Sequence, residues 1–108
     1  MTTIEFYTDE NNLYKGFKAS GHAGFADAGE DIVCASISVL TINTVNSIEE
    51  FTDAKFKLVT DDETGFIDFC VENYESKEVQ LLLSSLHLGL SEIQKSYKKY
   101  LKLTNRRY

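Results

Sequence analysis

Residues 21–51 read GHAGFADAGEDIVCASISVLTINTVNSIEEF, and the change of pattern inside this stretch decides the fold. Its opening, residues 21–31, holds Gly21, Gly24 and Gly29 among small and acidic side chains. That composition fits neither helix nor strand and predicts a mobile loop. From Ile32 the pattern turns helical: Val33, Ile37, Leu40, Thr44, Ile48 and Phe51 recur at three- and four-residue steps. Asp31 is placed as the N-cap, because its carboxylate can accept from the free amide protons of a first turn. The segment is rich in β-branched residues, which lose side-chain freedom in a helix, so packing has to hold it in place.

Before this stretch, Ile4 and Phe6 alternate with Thr3, Glu5 and Tyr7, the period of a half-buried strand. Asp9-Glu10-Asn11-Asn12 reads as a turn, and Leu13, Lys15, Phe17 and Ala19 alternate with their neighbours as a second strand. After the helix, Ala54, Phe56 and Leu58 mark a third strand and Ile67, Phe69 and Val71 a fourth, with a turn at Asp61-Asp62-Glu63-Thr64-Gly65. From about Ser76, Val79, Leu82, Leu83, Leu86, Leu90, Ile93 and Tyr97 trace one face of a second helix. Leu81 and Leu88 lie off that stripe and suggest a second buried face. Gly89 marks a kink or a close packing point. Tyr100-Leu101-Lys102-Leu103 fits either an extension of the helix or a short extra strand. The order β-β-α-β-β-α predicts an α+β two-layer sandwich, with both helices on one face of a mostly antiparallel sheet.

With 108 residues, the chain is expected to form a single domain over 1–108. Lys plus Arg is 11 and Asp plus Glu is 17, giving 11 − 17 = −6, a field that repels phosphate backbones and attracts a basic peptide. No direct nucleic-acid binding is therefore expected. The late basic residues Lys95, Lys98, Lys99, Lys102, Arg106 and Arg107 read as a solvated helix face and a basic tail. The N-terminus has no apolar signal core, and no stretch is read as a membrane span, so the expectation is a cytoplasmic protein with no membrane partner. Cys34 and Cys70 are expected to be free thiols. Two histidines and two cysteines at no ligand-like spacing give no zinc signature, and neither metal nor cofactor is expected.

Cys34 is the most informative side chain. Placed just after a cap at Asp31, its sulfur would lie near unpaired amides and the positive end of the helix dipole, which favour a thiolate. The Asp31 carboxylate works partly against this, as a like charge nearby. His22, at the end of the second strand, could take the thiol proton and return it to a leaving amine, with residues 23–30 arching over the gap as a lid. Ser38, one helical turn on, could orient the thiol or bind a substrate carbonyl. Each has a plainer reading. Cysteine flanked by Val33 and Ala35 is often a small buried hydrophobe, and a lone histidine beside a glycine is often only a turn residue. Only the pairing, with glycines between, raises both. His87 among leucines reads as a core-edge histidine, Cys70 as a bystander thiol between Asp68 and Glu72, and Asp61, Asp62 and Glu63 as a solvated turn. Asp27 and Glu30 could meet a basic peptide.

The segments Gly21-His22-Ala23-Gly24 and Asp31-Ile32-Val33-Cys34-Ala35 together resemble the signature of the ribosomal-processing cysteine protease (Prp) family. Ser38 matches that family's serine one turn after the cysteine, and Gly89-Leu90 with Tyr97 its late helix. The resemblance implies a cysteine endopeptidase with Cys34 as nucleophile and His22 as base. Asp31 and Ser38 would support the pair, with Gly21, Ala23, Gly24 and Gly29 in the loop that meets substrate. It also implies a homodimer. The implied substrate is a large-subunit ribosomal protein, the twenty-seventh in the usual naming, from which a short N-terminal extension is removed during ribosome assembly. Thr41 and Asn43 depart from the pattern by making the exposed side of the first helix more polar. A non-enzymatic ribosome-associated peptide-binding module is the alternative from another class. A redox-sensing Cys34, with Cys70 as the only resolving thiol, is a third.

Overall fold

Strand β1 (Thr2–Thr8) folds back on β2 (Tyr14–Ser20) because Asp9 organises the chain between them. Asp9 Oδ1 accepts from the amides of Asn11 at 2.8 Å and Leu13 at 3.0 Å, and Oδ2 accepts from the Tyr74 hydroxyl at 2.9 Å. Burial pushes the Asp9 carboxyl up, but these three bonds outweigh it and hold it below the usual aspartate value. The computed structural model describes residues 1–21 and 28–107, and for residues 28–31 the backbone alone.

The remaining elements are α1 (Ala28–Phe51), β3 (Phe56–Asp61), β4 (Phe66–Val71), α2 (Lys77–Ser96) and β5 (Leu101–Arg107). The strands form one sheet in the order β3-β4-β2-β1-β5. Three of its four pairings are antiparallel, and β5 runs parallel to β1. The α+β sandwich expected from the hydrophobic pattern is therefore the one formed, with a fifth strand added. The open choice at Tyr100–Leu103 falls to a strand. α2 ends at Tyr97, whose amide bonds Ile93 O at 2.8 Å, and the Tyr100 carbonyl then accepts from Thr2 N at 2.9 Å. The outer edge of β1 would otherwise leave a row of unpaired backbone groups.

Register puts Ile4 opposite Ala19, Phe6 opposite Phe17, and Phe17 opposite Phe69. These side chains share one sheet face and one buried cluster with Val33, Ile37, Val45 and Ile48 of α1 and Val79, Leu83, Leu86 and Leu90 of α2. Both helices thus cover the same face. Each of the large apolar side chains removed from water here contributes roughly 1.5–3 kcal/mol, which is what holds the β-branched α1 helical. α1 and α2 pack tightly at Gly89, where an added Cβ would stand 3.1 Å from Leu40 Cδ1. Gly89 is a packing point rather than a kink. The opposite sheet face is polar, with Glu5 Oε1 at 3.9 Å from Lys18 Nζ and 3.7 Å from Arg106 Nη1.

Several details differ from the sequence reading. α1 begins at Ala28, so Gly29 and Asp31 lie in its first turn and Asp31 is not its cap. The small residues at 28–31 hid this start. Phe51, read as part of the α1 stripe, is exposed, and so are Leu81 and Leu88, so the second apolar face of α2 is not buried within the chain. Thr41 is fully buried, its hydroxyl donating to Ile37 O at 2.8 Å; back-bonding to the helix satisfies a polar group that pattern alone would send outward. Asn43 is exposed, as expected. The 20 residues Ile32–Phe51 reach a mean hydropathy of 1.4, long and apolar enough by composition to cross a membrane, although one face packs in the core. Lys102, Arg106 and Arg107 belong to β5 and are not a tail.

Candidate active site

α1 and the β3–β4 turn stand apart at one end of the sheet and leave a groove of about 290 Å³ between them. Cys34, Ser38 and Ile42 line it from α1, Asp61, Asp62 and Phe66 from the turn, and Thr2 and Ala19 form its floor. The spacing of the α1 residues places them on one helix face, beside the stripe that enters the core. Cys34 is half-buried, open to the groove rather than sealed in the interior.

Cys34 is the seventh residue of α1, in its second turn, and not near the third as the sequence reading placed it. The free amides of a helix start belong to its first turn, and the dipole effect fades over the same distance. Support for a thiolate from the helix end is accordingly weaker than expected. The Cys34 Sγ instead lies 3.9 Å from Thr2 Oγ1, on the first strand. Thr2 was not legible as a site residue: nothing in an isolated Met-Thr-Thr segment marks it, and its place follows from β1 pairing with β2 on one side and β5 on the other.

His22, Ala23 and Gly24 lie outside the described residues, as does the Asp31 side chain. The described chain leads up to His22 through Gly21, whose φ of +88° is a left-handed conformation. A Cβ on Gly21 would stand 2.6 Å from the Met1 carbonyl oxygen. Strand β2 thus ends against the chain segment that carries Thr2 into the groove, since Ser20 pairs with Thr3. Ser38 is exposed and lines the groove with Cys34. Asp61 and Asp62, read from sequence as a solvated turn, border the groove as well. A turn residue carries no mark of which groove the fold will set it against.

The remaining candidates lie elsewhere. His87 stacks on Tyr14, ring centroids 5.5 Å apart, and meets Phe6 edge-on at 4.9 Å; neither ring lines the groove. Burial holds the His87 imidazole below its ordinary value. Cys70 alternates with the buried Phe69 and Val71 and so faces the polar side of the sheet, away from the helices and Cys34. Burial first, and then the Asp68 charge, push the Cys70 thiol up. The sheet stands between the two sulfurs, which leaves a redox-sensing Cys34 without a resolving partner in this chain. Among the described residues no cluster of His, Cys, Asp and Glu could hold a metal ion.

An α+β sandwich that presents a half-exposed cysteine from its first helix into a surface groove has the layout of a thiol hydrolase. The model of the family described as cysteine protease Prp matches residues 1–102, and the chain belongs to that family. It is 26% identical over 103 residues to the ribosomal processing cysteine protease Prp of Staphylococcus aureus, covering 95% of this chain and 97% of that one. The Bacillus subtilis protein of the same name is 27% identical over 92 residues, covering 82% of each. The crystal structure of the S. aureus protease with a covalently linked product peptide superposes with a TM-score of 0.89 at 25% identity, covering 98% of this chain and 100% of that one. The same fold recurs in the S. aureus enzyme with a substrate peptide, at a TM-score of 0.92 and 24% identity, over the same shares of the two chains.

Proposed function

We propose that this cysteine protease removes a short N-terminal extension from a large-subunit ribosomal protein, the twenty-seventh in the usual naming, with Cys34 as nucleophile and His22 as base. The observation that carries the reading is the half-exposed Cys34 thiol lining the groove, on a helix whose stretch Asp31–Ala35 resembles the family's cysteine signature. Relatives named ribosomal processing proteases, one crystallised with peptides, support the substrate class.

In this mechanism His22 takes the Cys34 proton and the sulfur attacks the scissile carbonyl. The carbon–nitrogen bond breaks as His22 returns the proton to the leaving amine, forming a thioester. Water then cleaves the thioester, its proton restoring the thiol. Ser38, exposed beside Cys34, orients the peptide in the groove, and Gly21, Ala23, Gly24 and Gly29 belong to the stretch assigned to substrate contact. Asp31, in the first turn of α1, supports the helix start. Two copies of the chain associate as a homodimer, and the enzyme works in the cytoplasm, where ribosomes assemble. Substrate recognition is through the peptide alone, without direct contact to RNA.

The test is incubation with the extended ribosomal protein and mass spectrometry of its N-terminus. The wild-type chain yields the shortened form, while Cys34→Ala and His22→Ala each lower turnover by roughly 10³-fold or more. Cleavage that survives either substitution overturns the assignment, and tight binding with an intact N-terminus would mark a peptide-binding module instead.

A further inference from the structure

The placement of Cys34 in the second turn of α1 leaves its sulfur without close help from the helix end, and the group that the fold sets against it is a hydroxyl. We propose that Thr2 is a positioning residue for the Cys34 thiol, its Oγ1 donating to Sγ so as to favour the thiolate and hold the sulfur toward the groove. The proposal rests on the reading of Cys34 as nucleophile.

Three observations carry it. Thr2 Oγ1 stands 3.9 Å from Cys34 Sγ, within the longer reach of a hydrogen bond to sulfur. Thr2 is only 6% exposed, yet it lines the same groove as Cys34, and its hydroxyl has no other partner among the described residues. A buried hydroxyl needs a partner, and the sulfur is the one provided. The hydroxyl is also held in place by backbone contacts. Thr2 N donates to Tyr100 O at 2.9 Å, Thr2 pairs with Leu101 in β5, and Met1 is packed against Gly21.

The chemistry gives the contact a direction. A thiol and a hydroxyl can each donate to the other, but a thiolate only accepts, so the Thr2 proton turns to the sulfur once it ionises. A hydrogen bond to a charged acceptor is stronger than one between neutral groups, so the contact is firmest when the sulfur carries the charge with which it attacks. The thiol proton leaves to the base or to water, and Thr2 keeps its own throughout.

The experiment follows the rate of iodoacetamide alkylation at Cys34 against pH, by mass spectrometry, in wild type and in Thr2→Val, Thr2→Ala and Thr2→Ser. Cys70, across the sheet, serves as reference in the same sample. The expected result is alkylation of Cys34 about 3- to 10-fold slower near neutral pH in the Val and Ala variants. The Ser variant restores the wild-type profile, and Cys70 is unchanged in all. A Cys34 profile unmoved by Val and Ala, or a Ser variant shifted as far as Val, overturns the proposal. If Cys70 alkylation rises in Thr2→Val, that variant is misfolded and the Ala and Ser variants decide. Because alkylation is read at Cys34 itself, failure here is separate from failure of the nucleophile assignment, which Cys34→Ala tests by cleavage.

Discussion

Gly21 and Met1 meet so closely that the carbonyl oxygen of Met1 occupies the space where a Cβ on Gly21 would need to be, at 2.6 Å. The left-handed φ of Gly21 compounds the restriction. Gly21→Ala is expected to cost about 1–3 kcal/mol, measured by urea denaturation, from strained backbone and the displaced first strand. Turnover falls further than stability alone explains, since the same shift moves Thr2 and the point where the chain continues to His22. A variant as stable and active as wild type would contradict this.

Gly89 makes a second glycine prediction with the opposite sign for a small change. Glycine inside a helix costs about 1 kcal/mol relative to alanine, while a Cβ here meets only the tip of the half-buried Leu40, at 3.1 Å. Gly89→Ala is therefore expected to be neutral to slightly stabilising. Gly89→Val adds branches that Leu40 cannot clear and destabilises by about 1–3 kcal/mol. Thermal melts of the two variants discriminate the cases.

The pattern of apolar residues made the sandwich legible, because each strand alternates and both helices carry one buried stripe. The parallel β5 was not legible: Leu101 and Leu103 fit a helix end equally well, and only the open edge of β1 selects the strand. The start of α1 was misplaced for a related reason, since alanine and glycine at 28–29 carry no amphipathic signal. At the site, Cys34 stood out through its motif. Thr2 reaches the groove through the β1–β5 pairing, and the local hairpin bearing Asp61 and Asp62 joins the sheet through the distant β2–β4 pairing, which no local pattern encodes.

His87 supplies a pH prediction. Its folded-state pKa lies below the ordinary value because burial disfavours the charged ring. The unfolded chain therefore takes up a proton first as pH falls. His87 favours folding fully above about pH 6.5, and that contribution is lost as pH drops through the unfolded and then the folded value. Urea midpoints are expected to fall between pH 7.5 and 5.5 in wild type, and to fall less in His87→Gln. Identical slopes would remove the assignment.

Asp61 and Asp62 border the groove, and among the described residues neither forms an ion pair. Their charges are available to a cationic substrate segment at the rim. Replacing both with Asn is expected to raise KM for a basic peptide a few-fold at low salt, with kcat unchanged and the difference fading as salt screens the charge. Steady-state kinetics at two ionic strengths check it; a KM that does not move at low salt rules the carboxylates out.

The last strand of the chain lies beside the first, and the Tyr100 carbonyl fastens Thr2 to it. The floor under Cys34 is therefore complete only once residues 101–107 have paired with the first strand. A nascent chain still lacking residues 101–107 has its first strand without that neighbour, and the segment bearing Thr2 is left without its tether.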